Sequence, residues 1–390
     1  MMAQSGTAAN FATPFGGNPY PFFAQLRAQA PVTKLPGLNV WAVAKYADCV
    51  RILRDPETFS SVVGVKQLAG EAPPSMLFSD PPVHTRLRSL VAKAFTPRMV
   101  ELQRPAIEAY AQQLIDRMLE EDEADLVAAL AYPLPVQVIA NMLGVADGDL
   151  ATFKRWSDDI IENVGTVLLT GDDSAVAETN RQLDEYFTAR VEKLRREPEE
   201  NLLSELVHVE TEEGKLTLDE LLMFSRLLLV AGNETTTGLI VNAVRAFAEF
   251  PHVYDRVREE PGLLRTAIEE ALRYYAPFPA TIRRTTRDVE VRGVTIPANE
   301  RLFVLLASAN RDEEEFERPD EFIPDREPNR HLAFGMGAHY CLGAPLARLE
   351  ANVALAKLLP RVRRFELLEE VPVAVRPGGP KSFKVRFVRA

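Results

Sequence analysis

HLAFGMGAHYCLGAPLARLE, residues His331 to Glu350, carries Cys341 near its centre, with Gly335, Gly337 and Gly343 set around it. Glycines this dense serve where backbone must come close to something bulky or take torsions that a side chain forbids. Leu346, Leu349, Val353, Ala354 and Leu358 then recur at helical spacing, so a tight loop feeds a helix just beyond the cysteine. A helix N-terminus favours an anionic thiolate, and Cys341 reads as a presented thiol. Two other readings use the same residues. Cys341 could be a small core residue, or it could join His331 and His339 on a zinc ion, for which no fourth ligand and no Cys-x-x-Cys is present.

A third reading accounts for every glycine. Phe334-Gly335-Met336-Gly337-Ala338-His339-Tyr340-Cys341-Leu342-Gly343 resembles the haem-binding loop of the cytochrome P450 family. The resemblance implies that Cys341 is the axial thiolate ligand of a haem b iron. It also places Phe334, Gly335, His339 and Gly343 at the cofactor, with His339 near a propionate. One motif is a hypothesis, so the rest of the chain must supply the other parts.

Composition narrows the field. The 390 residues can bury a large core, and 46% hydrophobic with 26% charged residues is the balance of an ordinary soluble globular protein. A formal net charge of -11 argues against general nucleic-acid binding, which needs clustered Lys and Arg. Two cysteines, Cys49 and Cys341, exclude a disulfide framework and suit a reducing cytoplasm. The N-terminal MMAQSGTAANFATPF lacks a basic segment followed by an apolar run, and no stretch reaches the ~20 apolar residues that span a bilayer. A cytoplasmic protein with no membrane association is expected.

Along the chain, a short helix is expected after Pro21, a strand over Leu38–Val43, and a helix over YADCVRILRD that takes Cys49 into its core. Ser60 to Leu77, with Gly64, Gly70, Pro73 and Pro74, reads as a long loop, and loops of this size usually have a function. Asp80-Pro81-Pro82 starts a helix, and His84 and Arg88 share one of its faces. Met99 to Glu249 is almost wholly helical in pattern, with breaks near Pro133 and Pro135, at Gly144–Gly148 and at Gly171-Asp172-Asp173. Within it, Phe153–Asn180 reads as two helices joined through Gly165 to Ser174, a candidate lid. Leu221 to Phe250 is apolar nearly all round and should be a buried central helix, with a gap expected at Gly232. Beyond Pro277 come short strands, TIRRTT, VEV, VTI and RLFVLL, and the chain closes on a hairpin of FELLEEVPVAV and SFKVRFV.

The P450 resemblance extends to these segments from about Asp80 onward. DPPVHTRLR is similar to the family's segment that offers His84 and Arg88 to a haem propionate, a group that needs charge-assisted donors when buried. Ala231-Gly232-Asn233-Glu234-Thr235-Thr236 resembles the oxygen-binding segment, in which Glu234 and Thr235 would be the catalytic acid and alcohol that relay protons. Glu270 and Arg273 resemble the family's Glu-x-x-Arg brace, with Arg326 as its second arginine. Arg283, rather than Arg284, would give a further propionate contact. Leu77, Val230, Asn233, Phe278 and Ile282 are expected in the substrate pocket, along with residues 62–77 and 164–169. The hairpin tip Gly378-Gly379-Pro380-Lys381 departs from the family's apolar turn, which puts its substrate contact in doubt.

These readings give a mainly α fold with a small β region. It would be one P450 domain over residues 1–390, with residues 1–15 as a tail and haem between the long central helix and the cysteine helix. The implied activity is insertion of one oxygen atom from O2 into a small apolar organic substrate by a monomer. No flavin or iron-sulfur segment appears, so a ferredoxin and its reductase are implied as electron donors, with Arg330 and Arg348 as candidate docking cations. A peroxide-using haem-thiolate enzyme, a non-enzymatic haem sensor and a zinc-bearing helical scaffold are the alternatives.

Overall fold

The computed structural model describes residues 18–64, 68–70, 73–170, 172–212, 214–369 and 379–389; the side chains of residues 147, 164–166 and 168–170 are outside that description. The N-terminal tail and part of the long loop also fall outside it, as does Gly378 of the hairpin tip. The chain forms two compact units. One runs to Phe59, takes up Ala111–Tyr132 and ends with Glu234–Ala390; the other consists of Ser60–Tyr110 and Pro133–Asn233.

In the first unit, Val32–Leu35 pairs antiparallel with Val40–Val43, which lies parallel to Arg301–Val304, itself antiparallel to Thr281–Thr285. Alternation of side chains across these strands feeds two cores. Val43, Leu302 and Val304 pack with Tyr46, Cys49 and Ile52 of the helix Tyr46–Arg54, while Leu35 and Ala42 pack with Phe23 and Leu26 of the helix Tyr20–Gln29. Val289–Val291 and Val294–Ile296 form a hairpin whose two turn residues, Arg292 and Gly293, both have positive φ, as the tightest hairpins require. The closing hairpin pairs Val362–Leu367 with Lys384–Arg389. Its outer edge takes a third strand, Glu123–Asp125, which sequence periodicity does not reveal.

The second unit is mainly helical, with one short strand pair, Glu210–Thr211 against Gly214–Lys215. Thr96 caps Pro97–Leu102 by accepting from the Met99 amide at 3.1 Å, and Asn201 caps Leu202–His208 by accepting from Ser204 at 2.9 Å. The two helices expected over Phe153–Asn180 are present, but their joint is narrower than Gly165 to Ser174, because the first helix passes through Gly165 unbroken. One helix runs from Leu150 to Thr170, and the next begins at Ala177. An interior glycine costs only ~1 kcal/mol against alanine, too little to divide a helix of 21 residues.

The long helix spans Leu218–Glu249 without interruption, so the gap expected at Gly232 is not there. A Cβ at Gly232 would lie 2.6 Å from Cδ1 of Ile139, a fully buried residue of the helix Pro133–Met142. Gly232 therefore permits close helix packing. Among the described residues this helix alone is long and apolar enough to cross a membrane, which amends the sequence count of apolar runs. With 61% of its most apolar window buried inside the protein, it is a core helix.

Candidate active site

The long helix buries Leu229, Asn233, Thr236 and Thr237 almost completely. Leu227, Leu228, Val230, Ala231, Glu234 and Thr235 remain partly or fully uncovered, and they recur every three to four residues. An uncovered stripe along a core helix is the wall of a space. Glu234 and Thr235 are neighbours on it, in the middle of an otherwise apolar surface. Asn233 points away from the stripe, donating its amide to Ser157 Oγ at 3.1 Å in a helix–helix contact. Thr237 Oγ1 donates to the Ala131 carbonyl at 3.0 Å, fastening the next turn.

In the cysteine loop, Gly335 and Gly337 take φ of +68° and +72°. A Cβ on Gly337 would lie 2.4 Å from the Leu53 carbonyl oxygen, so the loop is pressed against the end of the helix Tyr46–Arg54. The turn closes as Tyr340 N–H donates to Gly337 at 3.1 Å and Cys341 N–H donates to Phe334 O at 2.9 Å. The helix Ala344–Leu358 then starts from Gly343. Cys341 thus stands just outside a helix N-terminus, partly uncovered. Cys49 is its opposite. It is fully buried, its Sγ lies 3.5 Å from the Val43 carbonyl, and burial holds its thiol far above the ordinary range.

Glu270 and Arg273 are both completely buried. Arg273 Nε and Nη2 donate to the two carboxylate oxygens at 2.8 Å each, and Arg326 Nε reaches both at 3.1 Å. Two further donors were not foreseen: the Ile323 amide at 2.9 Å and Asn329 Nδ2 at 3.1 Å. Arg273 Nη1 also donates to Asn310 O at 2.9 Å, while Asn310 Oδ1 accepts from Leu332 N at 2.6 Å. Asn310 therefore joins the brace to the cysteine loop. Nothing in the spacing of the sequence marks it.

His331 is not a free metal ligand. Its Nε2 donates to Glu269 Oε2 at 3.0 Å, and its Nδ1 accepts from the Ala333 amide at 3.3 Å. Among the described residues no group of three His, Cys, Asp or Glu could hold a metal, which removes the zinc reading. Arg348, the other expected docking cation besides Arg330, is held by Glu269 in a two-pronged pair at 2.7 and 2.8 Å. Glu350, on the cysteine helix, is 1% exposed with no partner for Oε2, and burial holds its carboxyl well above the carboxylate range.

The other expected residues lie on separate elements. His84 is buried on the helix Val83–Ala94, with Arg88 one turn on and partly exposed. Arg283 is 7% exposed on its strand and donates to Thr281 Oγ1 and the Ile282 carbonyl, whereas Arg284 turns outward to Asn299. His339 ends the short turn Gly337–His339. Phe278 and Ile282 are partly buried, and Leu77 is 44% exposed. At the hairpin tip, a Cβ on Gly379 would lie 3.5 Å from Gly238 Cα, so the tip packs backbone against the long helix.

A family model described as Cytochrome P450 matches residues 39–377. The chain belongs to the cytochrome P450 family. This P450 is 40% identical over 374 residues to "Putative cytochrome P450 YjiB" of Bacillus subtilis (strain 168), covering 95% of this chain and 94% of that one. It is likewise 40% identical over 359 residues to "Cytochrome P450 monooxygenase PikC" of Streptomyces venezuelae, covering 89% and 84%. The solved structure of CYP109E1 from Bacillus megaterium in complex with testosterone matches with a TM-score of 0.84 at 36% identity, covering 95% and 99%. The fold is that of a P450, and the chain is a haem-thiolate monooxygenase. Of the two cysteines in this P450, only Cys341 is uncovered enough to meet an iron.

Proposed function

We propose that this P450 inserts one atom of dioxygen into an apolar organic molecule, with Glu234 and Thr235 managing protons and Cys341 holding the iron. The acid and alcohol side by side on an uncovered stripe of a core helix are the observation that carries this reading. When bound, the haem supplies activation of dioxygen, helped by electron donation from its thiolate. The chain's own residues do the rest. Glu234 takes protons from solvent and passes them to the Thr235 hydroxyl, directly or across an ordered water. His84, Arg88, Arg283 and His339 hold the propionates through charge-assisted hydrogen bonds. The Glu270–Arg273–Arg326 network, through Asn310, keeps the cysteine loop in register.

The uncovered Leu227, Leu228 and Val230 favour an apolar substrate, and a solved relative binds testosterone. Glu234 and Thr235 also favour oxygen over peroxide as oxidant, since a peroxide-driven site has no need of such a relay. Electrons would come singly from a ferredoxin served by its reductase, in the cytoplasm. The purified protein, reduced under carbon monoxide, should show the strongly red-shifted Soret band of a thiolate ligand, and Cys341→His should abolish it. A band of the imidazole type in the parent protein would overturn the assignment of Cys341.

A further inference from the structure

We propose that Glu269 and Arg348 are a positioning pair that fixes the cysteine loop by holding the Phe334 ring and its neighbours; this rests on Cys341 being the iron ligand. Adjacent residues on a helix point ~100° apart. On the helix Leu264–Tyr274, Glu270 therefore turns to Arg273 and Arg326, and Glu269 turns to the loop. Arg348 lies about two turns beyond Cys341, on the helix that the loop feeds.

The pair has the geometry of a fork. Arg348 Nε and Nη2 meet Glu269 Oε1 and Oε2 at 2.7 and 2.8 Å, which fixes the guanidinium plane as well as its place. The pair then meets three points on the loop, two of them through the guanidinium. Its central carbon stands 4.4 Å from the centroid of the Phe334 ring, within reach of a cation–π contact. Its Nη1 lies 3.4 Å from the Tyr340 hydroxyl, and Glu269 Oε2 accepts from His331 Nε2 at 3.0 Å. Phe334 is the residue whose carbonyl accepts the Cys341 amide at 2.9 Å, and Tyr340 precedes the cysteine directly. One carboxylate and one guanidinium thus tie down residues on the N-terminal side of Cys341 from a helix anchored on its C-terminal side.

Only 24% of the Glu269 side chain and 35% of that of Arg348 is exposed, and together they carry no net charge. Their effect on the sulfur is then chiefly geometric. The loop can loosen when either partner is lost, and removing both adds nothing, because the two act as a unit.

The test follows the ferrous carbon monoxide complex of the holoenzyme over time, measuring how fast its red-shifted band converts to the unshifted form that marks a lost thiolate. Glu269→Gln and Arg348→Gln should each speed conversion roughly tenfold, and the double variant also roughly tenfold, as expected for one coupled interaction. Arg348→Lys keeps the charge but not the plane, and should still convert faster than the parent. It serves as well where the glutamine variants do not fold. Conversion at the parent rate in the lysine variant overturns the role of the stacked plane. Parent rates in the glutamine variants with a lowered unfolding midpoint overturn the proposal, leaving the pair a plain structural ion pair. A roughly hundredfold effect in the double variant overturns the coupling. A parent protein lacking the red-shifted band overturns the reading of Cys341 instead, before any variant is made.

Discussion

Gly335→Ala and Gly337→Ala give the sharpest test of how the cysteine loop is held, because they carry the same torsional cost and differ in one contact. Both positions have φ near +70°, where an alanine costs ~1–2 kcal/mol relative to its relaxed backbone. Stiffening of the unfolded chain returns ~0.4–1 kcal/mol of this. At Gly335 little else opposes the methyl group, since the nearest atom, His339 O, would be 3.7 Å away. The net cost should be about 1 kcal/mol. At Gly337 the new Cβ would sit 2.4 Å from the Leu53 carbonyl oxygen, on a helix whose Cys49 and Ile52 are fully buried. That backbone cannot retreat without repacking a core, a change worth a further ~1–3 kcal/mol.

Gly337→Ala should therefore lower the unfolding free energy, read from the denaturant midpoint at unchanged slope, by about 2 kcal/mol more than Gly335→Ala. It should also bind less haem, because the Gly337 carbonyl closes the turn that precedes Cys341. Equal unfolding free energies for the two variants, within about 0.5 kcal/mol, would show that the Leu53 contact does not constrain the loop.

Glu270→Gln leaves two arginines facing a neutral amide in a buried network and should cost about 3–5 kcal/mol, read by chemical unfolding; a loss under 1 kcal/mol would mean the carboxylate is dispensable. Thr235→Ala should keep haem but divert reducing equivalents to hydrogen peroxide, seen as peroxide formed per electron pair consumed; unchanged coupling would count against the relay. Arg348 and His331 hold the Glu269 carboxyl down at about 2 against burial, below its ordinary 4.5. With its folded value depressed, its contribution is complete above about pH 4.5 and fades as pH falls towards about 2. Acid unfolding of Glu269→Gln should lack that component, and an unaltered acid limb would contradict the pairing.

Much of the plan was legible because local chemistry and global packing agree there. The helix at Tyr46, the strands after Pro277 and the hairpin turn at Arg292-Gly293 each carry their own periodicity or turn residues. Other features depended on partners distant in sequence. Glu123–Asp125 is a strand only because Lys384–Arg386 lies beside it, and three polar residues have no period to read. Gly232 looked like a gap for a ligand because the sequence does not show Ile139 against it. Glu269 and Glu270 are adjacent in the sequence, and only the fold turns the first to Arg348 and the second to Arg273. The site motifs were legible as residues. What the sequence could not show was Asn310 between the brace and the loop, or Arg348 already held by Glu269.

The sealed Glu350 has a consequence for proton accounting. Its carboxyl, with burial as the sole cause of its raised affinity, keeps its proton at pH values where an unfolded chain would have lost it. The folded protein therefore holds this proton more tightly than the unfolded chain does, and folding favours proton uptake at Glu350 above its ordinary range. Stability from this residue falls as pH rises above about 4.5, the reverse of the trend set by Glu269. Two glutamates, one on the cysteine helix and one paired with it, thus contribute to stability with opposite pH trends.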